Sequence, residues 1–326
     1  MTRARTIVFG ASHWHVPLCA AAIAAVHTVV GVSDEDPDQA RGVAELWGCP
    51  VDTDWRQLLD TPDIDLAYVF SPHDDMPEIC RALIERRIPF VVEKPLGTSL
   101  GHLQEVRRAA EDAGVPATVP LVQRGGPVDS WLAKAGRPVY QRLSFIAGPP
   151  GRYERNGSAW MLDTARAGGG CLINLGPHFV DLFLQCTLAT GAEVSAKLSH
   201  VLHGRAVEDH ATLVMTAPDG REAIIEVGYA FPDSALKRYC SYSSVGEAGF
   251  AAIDSDGTAT FTALDGLTEK AALEVDSDPL YEPFVRQVAR TLDDGFRGLP
   301  TLGEVEEAMQ IIWRAYEAAP QGGHHG

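Results

Sequence analysis

The chain has 326 residues, which exceeds one ordinary hydrophobic core and favours two domains. Hydrophobic residues make up 45% of it and charged residues 22%, as in globular proteins that bury sizeable cores. The formal net charge of −17 repels phosphate backbones and anionic membrane surfaces, so we expect neither nucleic acid nor a membrane as a partner.

The first 122 residues alternate short apolar strands with helices. Strands are predicted at 6–10, 28–33, 66–71, 89–92 and 117–122. Helices are predicted between them at 17–25, 38–47, 55–59, 77–86 and 100–113. Repeated βαβ units of this kind predict an α/β domain over 1–122, with a doubly wound parallel sheet covered on both faces.

From residue 123 the pattern changes to longer runs in which apolar and polar residues alternate. These runs predict strands with one buried face, at 140–146, 193–202, 211–216, 222–230, 237–243 and 250–254. Two helices follow, at 280–293 and 301–318, and the second opens with the Thr301–Glu304 spacing of a capping box. Residues 123–320 are therefore predicted to form an α+β domain with a mostly antiparallel sheet. We expect 321–326 to be a disordered tail.

The cysteines are widely scattered and form no Cys-x-x-Cys pair, which argues against a disulfide framework or a structural zinc site. They are Cys19, Cys49, Cys80, Cys171, Cys186 and Cys240. The first residues lead directly into a strand pattern without a signal-peptide core. No stretch approaches the roughly 18 consecutive apolar residues of a membrane span. We therefore expect a cytoplasmic protein.

The first turn lies where a dinucleotide-binding fold holds its pyrophosphate, after strand one and before helix one. Its residues are Gly10-Ala11-Ser12-His13-Trp14-His15. The usual fingerprint has three glycines, whereas here Ser12 and His15 replace the second and third. Backbone amides at a helix N-terminus can still hold a phosphate. This turn is predicted to bind a dinucleotide, with the helix displaced or the loop reshaped by the bulk of His15.

Asp34 ends the second strand, where an acid in such a fold hydrogen-bonds the adenosine ribose hydroxyls. Its carboxylate, followed by Glu35 and Asp36, would repel a 2′-phosphate. The alternative is an ordinary solvated acid at a strand end. Asp34 therefore predicts NAD as the cofactor in preference to NADP.

Two further motifs follow strands three and four at the carboxyl edge of the sheet, where open α/β sheets bind ligands. They are Ser71-Pro72-His73 and Glu93-Lys94-Pro95. A lysine that follows four apolar residues is partly desolvated, which lowers its pKa and suits it to proton transfer near neutrality. We predict that Lys94 is catalytic and that both motifs border the cofactor.

The stretch Gly168–Asp181 carries the second group of candidate catalytic residues. If it is helical beyond its glycines, Asn174, His178 and Asp181 fall at i, i+4 and i+7 on one face. An imidazole between a carboxamide and a carboxylate is a plausible oriented acid or base. The alternative for His178 is a core histidine, but three polar groups on one apolar helix favour a pocket.

Together these motifs resemble the Gfo/Idh/MocA family of oxidoreductases, which includes glucose-fructose oxidoreductase and inositol dehydrogenase. The similarity rests on Glu93-Lys94-Pro95 and Gly168–Asp181. It is supported by Trp160, Gln123-Arg124 with Pro127, and Glu208-Asp209. It implies an N-terminal Rossmann domain and a C-terminal domain whose large open sheet supports a homodimer or homotetramer.

The same resemblance implies roles for individual residues. Lys94 and His178 would transfer protons beside the nicotinamide, and Gln123 and Trp160 would contact the cofactor. Asn174 stands where the family usually has aspartate, so it can orient a substrate hydroxyl but cannot accept its proton. His13, His15 and His73 could gather near the cofactor, but no acid or cysteine with ligand spacing completes a metal site, and we expect none.

Three functions remain open. The first is reversible hydride transfer between NAD and a secondary alcohol or ketone of a sugar, cyclitol or related polyol derivative. The second is a lyase, epimerase or glycosidase that keeps NAD bound and oxidises its substrate transiently. The third is a ligand-binding relative without catalysis, which the missing glycines and Asn174 suggest and the Lys94–His178 pair opposes.

Overall fold

The computed structural model describes residues 3–189 and 191–319, so the predicted tail 321–326 lies outside the described residues. The chain divides into two compact units, each assembled from three segments. The first unit comprises the residues up to Pro120, Tyr153–Gly168 and Asp278–Glu306; the second comprises Leu121–Arg152, Gly169–Ser277 and the residues from Glu307 onward. The first unit thus includes two segments that follow residue 122.

The first unit is built on a six-stranded parallel sheet. Its strands are β1 Arg5–Phe9, β2 Thr28–Ser33, β3 Val51–Asp52, β4 Leu66–Val69, β5 Phe90–Val92 and β6 Ala117–Thr118. They lie in the order β3-β2-β1-β4-β5-β6, so the direction of winding reverses between β1 and β4. This arrangement confirms the predicted doubly wound Rossmann fold.

The helices that cover this sheet begin and end at residues suited to caps. They are α1 Val16–Val26, α2 Pro37–Trp47, α3 Trp55–Leu58, α4 Met76–Glu85 and α5 Leu100–Ala113. In α5, the Ser99 side chain accepts from the His102 N–H and Gly114 ends the helix at φ +65°. In α2, the Asp36 side chain caps the N-terminus and Gly48 ends the helix in the left-handed conformation.

One predicted strand of this unit was wrong in length, and one strand was missed. The strand predicted at 117–122 is only two residues long, because Pro116 and Pro120 flank it and proline cannot donate to a ladder. The two-residue β3 was missed because it is too short to show a period. It pairs with β2 through Val51 and Asp52.

The second unit contains an eight-stranded, mostly antiparallel sheet. Its strands are β7 Pro138–Ala147, β8 Glu193–Ser199, β9 His210–Thr216, β10 Glu222–Gly228, β11 Arg238–Gly246, β12 Gly249–Ile253, β13 Thr258–Ala263 and β14 Thr268–Ala272. Their order is β14-β13-β12-β11-β7-β10-β9-β8, and β7 with β10 is the parallel pair among them. The predicted mostly antiparallel sheet is confirmed. Two strands were missed: β13, in which threonines alternate with two alanines and one phenylalanine, and β14, which carries charged residues and lacks an apolar period.

The remaining helices are α6 Pro127–Leu132, α7 Gly151–Arg155, α8 Thr164–Ala167, α9 Cys171–Thr187, α10 Tyr281–Thr291 and α11 Leu302–Ala318. Helix α9 packs on β10, β7 and β9. The predicted capping box before α11 is confirmed, since Glu304 N–H donates to Thr301 Oγ1 at 3.2 Å and Thr301 N–H donates to Glu304 Oε2 at 2.7 Å. Across residues 3–189 and 191–319, every helix is too short or too polar to cross a bilayer.

Candidate functional site

A cavity of about 340 Å³ opens in the first unit at the carboxyl ends of β1, β2 and β4. The winding of the sheet reverses between β1 and β4, and open α/β sheets bind ligands at such a switch point. Half of the residues predicted to contact a cofactor line this cavity. They are Gly10, Ser12, His13, Asp34, Ser71, Pro72 and Trp160.

Hydrogen bonds fix the loop after β1 against the end of β2. Gly10 has φ +73°, and a Cβ on it would lie 2.4 Å from the Ser71 backbone nitrogen, so only glycine permits this approach. The Ser12 N–H donates to Oδ2 of Asp34 at 2.7 Å, and the Asp36 N–H donates to its Oδ1 at 2.9 Å. Burial raises the pKa of Asp34, while these two donors oppose the rise. The carboxylate is therefore held in place at the cavity wall.

The loop accommodates His15 by folding into two successive turns. The His13 N–H donates to the Gly10 carbonyl at 3.0 Å, and the Val16 N–H donates to the His13 carbonyl at 2.9 Å. Helix α1 begins at Val16, directly after His15. The imidazole of His15 is buried, so its bulk is absorbed inside the unit.

The rim of the cavity is acidic. Besides Asp34, it is lined by Glu35, Asp36, Asp54 and Asp75. Arg166 donates to both carboxylate oxygens of Glu35, at 2.8 and 2.9 Å, and to Asp75 at 3.2 Å. The hydrogen bond from Arg166 lowers the pKa of Glu35, whereas burial and the neighbouring Asp74 raise the pKa of Asp75 to about 6. Arg56 also lines the cavity, and it pairs with Glu78. Both Arg56 and Arg166 are thus already engaged by acids.

Two buried histidines stand against Trp160 beside the cavity. The His13 Nδ1 accepts from the His15 N–H at 3.1 Å, and the His73 Nδ1 lies 2.7 Å from the Ala167 carbonyl, to which it donates. Their rings lie 5.8 and 4.8 Å from that of Trp160. Burial lowers the pKa of His13 well below its usual value and that of His73 to about 3, so both are neutral at pH 7. Among the described residues, no group of three possible ligands is placed to hold a metal ion.

Glu93 and Lys94 follow β5 and are buried, with 1% and 3% exposure. Burial lowers the pKa of Lys94 to about 8, although the charge of Glu93 raises it. The Glu93 Oε1 lies 2.7 Å from the His15 Nδ1, and the Tyr281 hydroxyl lies 2.9 Å from the His15 Nε2. A lysine that titrates near neutrality can give or take a proton under physiological conditions.

The first unit thus brings most of its predicted residues together in two neighbouring sets. One set lines the cavity, and the other is the buried cluster of His15, His73, Glu93 and Lys94. His13 belongs to both, because it lines the cavity and interacts electrostatically with Lys94. Of the other predicted cofactor residues, Ala11 and Trp14 lie in the loop without lining the cavity, and Gln123 lies in the second unit.

In the second unit, Asn174, His178 and Asp181 are all buried on α9, as the helical spacing predicted. The Asn174 Nδ2 donates to the Tyr229 hydroxyl at 2.9 Å. The carboxylate of Asp181 forms a two-point ion pair with Arg124, whose Nε donates to Oδ2 at 2.7 Å. The interactions of Asp181 therefore suit it to fixing the helix rather than to exchanging protons.

The N-terminus of α9 is held by an acid from a distant loop. The Glu208 carboxylate accepts from the Gly170 and Leu172 N–H groups, both at 2.8 Å, and from the Tyr316 hydroxyl at 2.7 Å. A Cβ on Gly169 would lie 2.2 Å from that hydroxyl. The glycine run thus permits close approach of these partners, which satisfy amides that a helix N-terminus leaves unpaired.

Tyr229 and Tyr281 are contacts that the sequence did not single out. Tyr229 follows β10 and Tyr281 begins α10, so each is far in sequence from the residue it contacts. No motif or period marks either tyrosine. Glu208 was part of the family resemblance, but its role as a cap of α9 was not predicted. An acid shortly before a strand gives no local sign that it caps a distant helix.

The residues around the cavity fit a bound dinucleotide. Gly10 allows the loop to approach the end of β4, and Asp34 offers a fixed acceptor at the end of β2. These features persist although Ser12 and His15 replace two fingerprint glycines. The cavity therefore offers the carboxylate acceptor that binds ribose hydroxyls in such a fold.

Comparison with known proteins agrees with this geometry. The family described as "Oxidoreductase family, NAD-binding Rossmann fold" matches residues 7–120, and the C-terminal domain of the same GFO/IDH/MocA family matches residues 133–251. Together the two matches cover more than two thirds of the chain.

Two individual relatives match this chain over less than half of its length. Inositol 2-dehydrogenase 4 of Saccharopolyspora erythraea is 36% identical over 134 residues, which is 38% of this chain and 40% of that protein. Levoglucosan dehydrogenase of Pseudarthrobacter phenanthrenivorans is 25% identical over 160 residues, 46% of this chain and 40% of that protein. The matched region thus spans about two fifths of the length of these relatives.

A solved structure of levoglucosan dehydrogenase with NADH and levoglucosan shares the fold, with a TM-score of 0.82 at 17% identity over 97% of each chain. The NAD-binding Rossmann domain and the large C-terminal sheet are both accounted for by these matches. The chain therefore belongs to the Gfo/Idh/MocA family of NAD-binding oxidoreductases.

Proposed function

We propose that this protein is an NAD-dependent dehydrogenase that transfers a hydride between nicotinamide and a secondary alcohol or ketone of a sugar, cyclitol or related polyol derivative. In this proposal, residues 1–122 supply most of the contacts to NAD, with Trp160 and Gln123 added from later in the chain, and the rest of 123–320 binds the substrate. The names of the two relatives above, dehydrogenases of inositol and of levoglucosan, support this substrate class. Bound NAD would supply or accept the hydride.

The observation that carries the proposal is the buried Lys94 beside the cofactor cavity. Its pKa of about 8 lets it remove a hydroxyl proton in the oxidation direction and return it in the reduction direction. A buried lysine with no chemical task would be costly, because burial disfavours its charged form.

The other predicted catalytic residues have distinct proposed roles. His178 assists proton transfer from α9. Asn174, held by Tyr229, orients a substrate hydroxyl and does not take its proton. Asp181, paired with Arg124, sets the position of the helix. Gln123 remains a proposed contact of the cofactor.

NAD(H) is expected to bind at least about tenfold more tightly than NADP(H), a difference of about 1.4 kcal/mol. The reason is the acidic rim, where a 2′-phosphate would meet Asp34, Glu35 and Asp75. The nearby Arg56 and Arg166 are already paired with acids. Fluorescence or calorimetric titration of both cofactors measures the ratio.

Asp34→Ala should reduce this preference for NAD(H), because it removes the acceptor for the ribose hydroxyls. Asp38→Asn is the matched control, since Asp38 is an exposed acid on α2 that does not line the cavity. Equal affinities of the wild-type protein for the two cofactors would remove Asp34 from its proposed role.

The proposed reaction is tested by a panel of sugars, sugar acids and cyclitols incubated with the protein and NAD. A dehydrogenase should form NADH, followed at 340 nm, in a one-to-one ratio with ketone product. Product that accumulates with catalytic NAD and no net NADH would instead indicate a lyase, epimerase or glycosidase. Tight NAD binding without turnover of any compound would indicate a ligand-binding relative.

We also propose that the protein is a cytoplasmic homodimer or homotetramer. One face of the large sheet exposes Val214, Tyr239, Val245 and Phe250, which are 36–45% exposed. Their registers place them on the same face, opposite the side that packs on α9. A second copy of this chain would cover such an apolar face.

A further inference from the structure

We propose that His15 is a positioning residue for Lys94: it donates a hydrogen bond that keeps Glu93 as a carboxylate, and this carboxylate sets the protonation of the lysine. The inference rests on the proposed function, in which Lys94 transfers the substrate proton. It assigns a task to the side chain that replaces the third fingerprint glycine.

The contact with Glu93 requires a proton on the Nδ1 of His15, because a carboxylate can only accept. This Nδ1 lies 2.7 Å from the Glu93 Oε1, and both side chains are almost fully buried, with 2% and 1% exposure. The Tyr281 hydroxyl lies 2.9 Å from the Nε2 and 3.0 Å from the Nδ1. Burial raises the pKa of Tyr281 well above its usual value, so it remains a donor. A neutral imidazole with its hydrogen on Nδ1 satisfies both contacts, because it donates to Glu93 and accepts from Tyr281.

The titratable groups that face Glu93 and Lys94 come from several elements. They are Cys19 on α1, Tyr281 on α10, His13 in the first loop and His73 after β4. Burial keeps the two histidines neutral by lowering their pKa values, and it raises the pKa of the Cys19 thiol, which is also neutral. These neighbours are therefore neutral, and the Glu93 carboxylate is the charged group of this described set that acts on Lys94.

A buried carboxylate is stable only with hydrogen-bond donors, and without them it takes up a proton. Burial already raises the pKa of Glu93. Loss of the His15 donor raises it further, so that Glu93 becomes neutral at a higher pH. Lys94 then loses its counter-charge, and its pKa falls below about 8.

The experiment is an NMR titration of the lysine side chains in the full-length protein labelled with ¹³C- and ¹⁵N-lysine. The chain has five lysines, at 94, 134, 197, 237 and 270, and Lys94 is the buried one. Lys94→Met assigns its signal. We expect His15→Ala and Glu93→Gln each to lower the pKa of Lys94 by about one unit, and the double variant to lower it no further.

Two controls separate the hydrogen bond from packing. His15→Asn retains an N–H donor near Glu93 and should preserve the pKa of Lys94. His27→Asn removes another buried imidazole, at the other end of α1, which contacts Tyr68 at 3.2 Å, and should also leave that pKa unchanged. If His15→Ala does not fold, His15→Phe fills the space without a donor and gives the same comparison.

An unchanged or raised pKa of Lys94 in the His15 variants would overturn the inference, since a rise would mean that His15 is a cation. Its failure is distinct from failure of the proposed function. If the NMR titration shifts as expected but the pH dependence of turnover does not follow, His15 acts on Lys94 and Lys94 is not the proton-transfer group. If both shift together, both proposals are supported.

Discussion

Replacing Lys94 by methionine should lower kcat by about 10²- to 10⁴-fold, the usual contribution of a positioned proton-transfer group. The affinity for NAD should be nearly unchanged, because Lys94 does not line the cofactor cavity. Steady-state kinetics and a cofactor titration on the same variant measure the two quantities. Lys197→Met is the matched control, since Lys197 is exposed on β8.

The pH dependence of turnover identifies the role of Lys94 more closely. In the oxidation direction the neutral amine is required, so kcat/KM should rise with pH through about 8 and then level off. In the reduction direction the ammonium is required, so the rate should fall above the same pH. Lys94→Arg keeps the charge but cannot release its proton, and it should be as inactive as Lys94→Met. Near-full turnover in either variant would remove Lys94 from the reaction.

Replacing His178 by glutamine should lower kcat by about 10²-fold or more, since the variant keeps a polar side chain on α9 but loses the ionisable imidazole. The structure places His178 with Asn174 in the stretch of this helix that is buried throughout. NAD affinity should again be retained. Comparison of kcat with KM distinguishes loss of proton transfer from loss of substrate binding.

His200→Ala serves as the control for His178, because His200 is an exposed residue directly after β8. If His178→Gln raises KM while leaving kcat intact, His178 binds the substrate and does not transfer a proton. If it changes neither parameter but lowers the melting temperature, His178 is a structural residue of the core.

Much of the fold could be predicted from local patterns. Strands such as β1 and β4 are continuous apolar runs bounded by turns, and β9 and β10 alternate buried and exposed residues. Such patterns can be read in a single sequence because burial of one or both faces of a strand decides which of its positions are apolar. The exchange of segments between the units could not be predicted, since nothing local indicates that Tyr153–Gly168 returns to the parallel sheet.

The candidate site was predictable only in its motifs. Glu93 and Lys94 stand out because they are charged residues that follow an apolar strand. Asn174 and His178 stand out because they are polar residues within an apolar helix. The partners that set their chemistry come from far along the chain: Tyr281 contacts His15 across 266 residues. Such contacts depend on tertiary packing, which no local period records.

The most direct test of the proposed hydride transfer uses the compound that the substrate panel identifies, deuterated at its carbinol carbons. The protein is incubated with this compound and NAD, and the nicotinamide product is analysed by mass spectrometry. Hydride transfer to NAD predicts one NADH per ketone formed, with a single deuterium in the nicotinamide ring. Conversion of the compound with no deuterated NADH released, or failure of every compound in the panel to reduce NAD, would contradict a dehydrogenase.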